Sequence, residues 1–318
     1  MTRPAAIDIS NIHVLDGAIA TELERRGCDL SGPLWSGLVL DQAPAAIAAV
    51  HLDYLRAGAD CICTASYQVS AHGYREVGLD PAAARRAADR ALRVSVEIAQ
   101  QAQAEYAREN ARPVRIAASL GPYGAALHNG AEYHGRYALS FDDLIAFHAE
   151  RLAVLVGTKA DLIAFETIPS PEEARAILHA LEETPSLAAW ISFTCRDSFH
   201  VAHGEPLRAC AELLSESPQI AAIGINCTSS ALIDGLIVEA QLGSSEKKPI
   251  LVYPNSGETW NAADRTWQGY SDPSDYGVLA RGWFAAGAQA VGGCCRTRPA
   301  HIAAVAAAAP DAFSSGSS

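Results

Sequence analysis

The chain has no surplus of positive charge. Asp and Glu outnumber Lys and Arg by 36 to 24, and the net charge of −12 is spread along the sequence and gathered in no tail. Binding to nucleic acid is excluded as a main role, because neutralising phosphates takes a basic face. Long apolar runs are also missing: no stretch approaches the roughly 18 unbroken residues of a membrane span. Residues 1–12 lack the charged-then-apolar order of a targeting signal. These absences lead us to expect a cytoplasmic protein with no membrane or nucleic-acid partner, monomeric or weakly oligomeric. Cysteine is sparse too. Eight in 318 residues would make a thin disulfide framework, so in a reducing compartment burial or metal ligation is the better default. No linker divides the chain. We expect one domain over residues 1–312 and a disordered Ser-Gly tail at 313–318.

Apolar residues, at 49% of the chain, recur in eight short β-leaning segments. They begin near His13, Ala59, Arg115, Asp161, Leu187, Ile220, Pro249 and Ala288. Between them run Ala- and Glu-rich stretches with apolar residues at three- and four-residue spacing, among them 44–57, 81–106, 141–157, 171–181, 276–286 and 299–309. Pro44, Pro81 and Pro171 stand where helices would start, the position that tolerates proline. The β segments are continuous apolar runs, as in a parallel sheet buried on both faces. Eight alternations in this length predict an α/β protein, a single (β/α)8 TIM barrel, ahead of an open doubly wound sheet. Catalytic groups of such a barrel come from strand C-termini and the loops after them. Two of those loops are long, 121–140 and 256–275, and loops of that length are usually lids or binding loops.

Three cysteines fall at strand ends: Cys227 in Gly224-Ile225-Asn226-Cys227, and the adjacent pair in Gly292-Gly293-Cys294-Cys295. Three thiolates from two strand ends can hold zinc with one position open for chemistry. The two glycines would give the backbone conformations that a Cβ forbids. A redox disulfide between Cys294 and Cys295, or a phosphate site at the glycines, is the competing reading. Cys28, Cys61, Cys63, Cys195 and Cys210 read as core residues, and Cys61 and Cys63 share one strand face. His200 and His203 are exposed loop histidines without a further ligand.

Read in order, Leu15-Asp16-Gly17, Thr64-Ala65-Ser66-Tyr67-Gln68, Gly121-Pro122-Tyr123-Gly124, Phe165-Glu166-Thr167-Ile168-Pro169, Gly224-Ile225-Asn226-Cys227, Tyr253-Pro254-Asn255-Ser256-Gly257-Glu258 and Gly293-Cys294-Cys295-Arg296 closely resemble the homocysteine S-methyltransferase family. The resemblance runs from about residue 13 to residue 305, and the second and sixth motifs look like the branch that uses S-methylmethionine. It implies zinc at Cys227, Cys294 and Cys295, activating the thiol of homocysteine toward a sulfonium methyl group. S-adenosylmethionine is the alternative, slower donor, and selenocysteine or another thiol an alternative acceptor. A non-catalytic zinc- or thiol-binding barrel is the reading from a different class. Asp16 and Glu166 are the expected partners of the homocysteine ammonium, with Thr64 and the backbone around Gly17 at its carboxylate. Asn226 would touch substrate or tune a sulfur. A sulfonium suits an aromatic face, which makes Tyr67, Tyr123, Trp260 and Trp267, with Asn255, the candidate donor pocket. An arginine partner for Glu166 is the structural alternative. One departure stands out: Ala18 occupies a position where the family usually has glycine.

Overall fold

Seven of the expected β segments join in one parallel sheet. In chain order they are β1 (Cys61–Cys63), β2 (Arg115–Leu120), β3 (Leu162–Ile168), β4 (Ala189–Phe193), β5 (Ile220–Asn226) and β6 (Ile250–Tyr253), then a separate hairpin of β7 (Thr259–Asn261) and β8 (Thr266–Gln268), then β9 (Ala290–Val291). Neighbours in the sheet follow chain order, with β9 beside β6. The computed structural model describes residues 8–310 apart from 31, 33, 35, 246, 262–265 and 270. The expected tail at 313–318 lies outside the described residues.

The segment beginning at His13 is not an eighth strand in its own right. It makes one parallel bridge to each edge of the sheet, Val14 to Val291 and Leu15 to Cys61. Leu15 N–H donates to Val291 O at 2.9 Å and Asp16 N–H to Cys61 O at 3.1 Å. The run alternates between its two neighbours too quickly to build a ladder with either. The sheet is curled, and the fold is consistent with a TIM-like barrel.

The helices form where proline, caps and spacing place them. The helix Pro81–Glu109 starts on an Asp80 carboxylate that accepts from Ala82 N and Ala83 N. Ser170 caps Pro171–Glu182 in the same way, through Glu173 N. Buried apolar residues fall into two clusters, a large one holding helices to the sheet and a smaller one inside the curl. The inner cluster mixes Ala117, Ala164, Ala222 and Ala290 with Trp190 and Tyr253, and includes Cys61 and Cys63. Small residues on some strands leave room for two large rings from others. Among the described residues no helix is long and apolar enough to cross a membrane.

Candidate metal centre and substrate pocket

Cys227 follows β5 with φ at 47°, a left-handed backbone that turns its side chain away from the strand direction. Thr194 Oγ1 donates to its carbonyl at 3.3 Å. Cys294 and Cys295 follow β9 beyond Gly292 and Gly293. Neither glycine has a positive φ, so the expected conformational role is not theirs; they permit close approach. A Cβ on Gly292 would stand 2.6 Å from Leu15 Cβ, and one on Gly293 would stand 2.4 Å from Thr297 Oγ1. The segment after β6 holds both arms of the cysteine set. Asn255 N–H donates to Thr228 O at 3.0 Å, Cys294 N–H to Pro254 O at 2.8 Å and Ser256 N–H to Cys295 O at 3.0 Å.

The three sulfurs lie within 4.8 Å of one another, the one group of ligand-type side chains among the described residues that could hold a metal ion. Cys227 and Cys295 sulfurs are 3.8 Å apart. The oxidised pair is Cys227–Cys294, joining two strand ends, and not the adjacent pair weighed from the sequence. Cys295 keeps its thiol, and burial pushes that thiol up to about 11. Once reduced, three sulfurs in this spacing are a donor set that fits a soft or borderline cation such as zinc. Cys195 and Cys210 are buried elsewhere, and Cys61 and Cys63 are buried on β1. His200 and His203 each face a carboxylate of their own, Asp197 and Glu205.

Two carboxyl groups stand beside this centre. Asp16 is buried, and its Oδ2 accepts from Cys63 N at 2.9 Å. Burial raises its pKa well above the usual range, against the Cys63 hydrogen bond and with the help of Glu166. Glu166 rises to about 7, again chiefly through burial, while hydrogen bonds from Ser119, Tyr253 and Cys63 hold it lower than it would otherwise go. No arginine pairs with Glu166 among the described residues, so the structural alternative is set aside. The backbone around both acidic residues is tied to the sulfur arms. Gly293 N–H, one residue before Cys294, donates to Asp16 O at 3.0 Å. Asn226, one residue before Cys227, accepts from Thr167 N at 2.7 Å and donates to Thr167 Oγ1 at 3.0 Å, next to Glu166.

These bonds occupy both ends of the Asn226 amide, which positions Thr167 at its unusual φ of 62°. Thr64 is also engaged, its Oγ1 accepting from Ser119 N at 3.0 Å and lying 2.6 Å from Ser66 Oγ. Gly17 packs where a Cβ would meet the Tyr54 ring at 2.8 Å. Ala18 has φ of −67°, so nothing in its backbone requires the family's glycine.

The donor-pocket candidates separate. Asn255, between the two residues whose backbone bonds Cys294 and Cys295, has a buried Oδ1 with no partner among the described residues. Tyr67 is part-buried and close enough to Thr167 to hydrogen-bond it. The Tyr123 ring turns the other way, against His72, Tyr137 and Phe147, lining a cavity of about 320 Å³ that no cysteine borders. Trp260 and Trp267 pair across the β7–β8 hairpin; their side chains lie outside the described residues. Sequence reasoning passed over Glu132 and Tyr133, midway along the loop after β2. Burial, with the Cys295 thiol nearby, raises the Tyr133 hydroxyl pKa well above its usual value. Loop length was the only signal pointing there.

Comparison with known proteins agrees with this geometry. The profile of the family described as homocysteine S-methyltransferase matches residues 13–309. The homocysteine S-methyltransferase YbgG of Bacillus subtilis (strain 168) is 48% identical over 307 residues, 95% of each chain. Crystal structures of the homocysteine methyltransferase MmuM from Escherichia coli superpose in two forms. The metallated form gives a TM-score of 0.79 at 43% identity, covering 93% of this chain and 96% of that one. The oxidised form gives 0.80 at 43% identity, covering 95% and 98%.

Proposed function

The chain belongs to the homocysteine S-methyltransferase family, and from that premise we propose that it carries a methyl group from S-methylmethionine to the thiol of homocysteine, yielding two methionines. The observation that carries this reading is the meeting of three sulfurs within 4.8 Å with two carboxyl groups, Asp16 and Glu166, that have no cation partner among the described residues. A substrate that fills both needs carries a thiol at one end and an ammonium at the other, as homocysteine does. We read the 13–16 run as the eighth stave of a complete (β/α)8 barrel, which brings Asp16 to the same rim as the cysteines.

Cys227, Cys294 and Cys295 would hold zinc, which when bound supplies the charge that keeps a further sulfur ligand deprotonated near neutral pH. The rest falls to the protein. Asp16 and Glu166 fix the amino end of the acceptor, and Asn226 fixes Thr167 and with it the direction of Glu166. Asn255, with its free Oδ1, is available to either substrate. A cationic donor and an anionic sulfur cancel charge as they react, which an enclosed site favours over water. Holding the two sulfurs in line with the methyl carbon contributes much of the remaining acceleration.

Reduced, zinc-loaded protein incubated with homocysteine and each donor tests this. S-Methylmethionine should give two methionines per homocysteine consumed, and S-adenosylmethionine one, more slowly; selenocysteine offered as acceptor tests the alternative. Cys227→Ala and Cys295→Ala should lose metal and product together, while Cys28→Ala keeps both. Turnover at full zinc occupancy in Cys295→Ala would contradict the assignment.

A further inference from the structure

Homocysteine and S-methylmethionine are both amino acids, yet Asp16 and Glu166 provide for one ammonium. A second acidic group stands at the same mouth with its capacity unused. Glu132 lies in the short turn Ala131–Tyr133 and is 7% exposed. Among the described residues its Oε2 has no hydrogen-bond partner, while its own backbone N–H serves the carboxylate. No cation among the described residues offsets its charge, and burial raises its pKa. A buried acceptor without a partner is costly, so this oxygen calls for a donor from outside the chain.

Glu132 stands at the strand-end side of the sheet. Its turn, Ala131–Tyr133, packs against β3, the strand that carries Glu166. Two residues further on, a Cβ on Gly135 would stand 3.1 Å from Pro169 Cβ, just past the end of that strand. The Gly-Pro-Tyr-Gly motif brings the turn there. A Cβ on Gly124 would stand 2.5 Å from Glu132 N and 2.7 Å from Ala131 C, and one on Gly121 would stand 2.8 Å from Tyr67 O. Only glycine at both positions lets the Tyr67 and Glu132 segments pack against the same turn.

We propose that Glu132 receives the α-ammonium of the methyl donor, forming a second amino-acid subsite on the loop side of the sulfur centre. An ammonium supplies both what the oxygen lacks, an N–H donor, and the positive charge that a buried carboxylate favours. A sulfonium carries charge but no N–H, so it cannot complete Oε2. Held at its amino end by Glu132, the donor would extend its sulfonium toward Cys295 and the acceptor thiol. This inference rests on the sulfonium donor proposed above and names the residue that selects it.

Glu132→Gln is the test, because it keeps the shape of the side chain and removes its charge. The KM for S-methylmethionine should rise about tenfold or more, and calorimetric titration of zinc-loaded protein should show the same weakening. Zinc content and the KM for homocysteine should not move. Dimethylsulfonioacetate, a sulfonium without an ammonium, should be a poor donor for the native protein and lose nothing further in the variant. A rise in the homocysteine KM instead, an equal loss with both donors, or no change with S-methylmethionine overturns the proposal. The native protein separates the two readings. If it makes no methionine from S-methylmethionine, the donor assignment fails, and the Glu132 comparison is read with S-adenosylmethionine, which bears the same α-ammonium.

Discussion

A carboxyl group that titrates near 7 makes acceptor binding depend on pH in a definite direction. Burial lifts Glu166 from the ordinary 4.5 to about 7, so below that pH the group is neutral and offers an ammonium little. The KM for homocysteine should therefore fall as pH rises through about 7. In the ligand-free protein the sign for stability is opposite. The folded state keeps this proton between 4.5 and about 7, where the unfolded chain has lost it, and stability declines across that window. Glu166→Gln should raise the homocysteine KM by about 10- to 150-fold at pH 8, the worth of a buried charged hydrogen bond, and by much less at pH 6. Loss of zinc from that variant would mean that Glu166 supports the metal instead. At this scale the sequence was informative for groups whose chemistry is rare. Cys227, Cys294 and Cys295 stand out because adjacent cysteines at a strand end have few structural uses. Glu132 does not stand out, since one acid in a polar loop carries no mark of burial, and only its unpaired oxygen reveals it.

The loops decide what the strands can do. Helices were legible to within a few residues because proline and caps punctuate them: the stretch expected at 171–181 is the helix Pro171–Glu182, and that at 81–106 runs on to Glu109. The strands were less so. The segment read from Ala59 keeps ladder pairing only over Cys61–Cys63, and that from Ala288 only over Ala290–Val291, because Thr64–Gln68 and Gly292–Cys295 bend to build the site. The loop at 256–275 hides the β7–β8 hairpin, whose paired Trp260 and Trp267 gave no alternating pattern to read. The loop after β2 gives a prediction at this scale. Gly124→Ala places a methyl group 2.5 Å from the Glu132 backbone, and backbone cannot yield as a side-chain tip would. The turn should shift, raising the KM for S-methylmethionine severalfold with zinc content intact. Unchanged donor kinetics would show that the turn has no part in donor binding.

Across the whole molecule, the curled parallel sheet brings together groups far apart in the chain: Asp16 near its start, Glu166 midway, and Cys294 and Cys295 near its end. Their spacing in sequence says nothing of this; strand order does, and that order was legible from the alternation of apolar runs and helices. The way the ring is joined was not legible, because the 13–16 run bridges Val291 and Cys61 through single backbone bonds that leave no side-chain pattern. Everything else depends on the meeting of three sulfurs at one rim, with a place beside them for a fourth. X-ray absorption at the zinc edge of reduced, metal-loaded protein measures that directly. It should count three sulfur neighbours at about 2.3 Å and one lighter atom, becoming four sulfurs when homocysteine is added. A first shell with fewer than three sulfurs, or one that homocysteine leaves unchanged, would contradict the account.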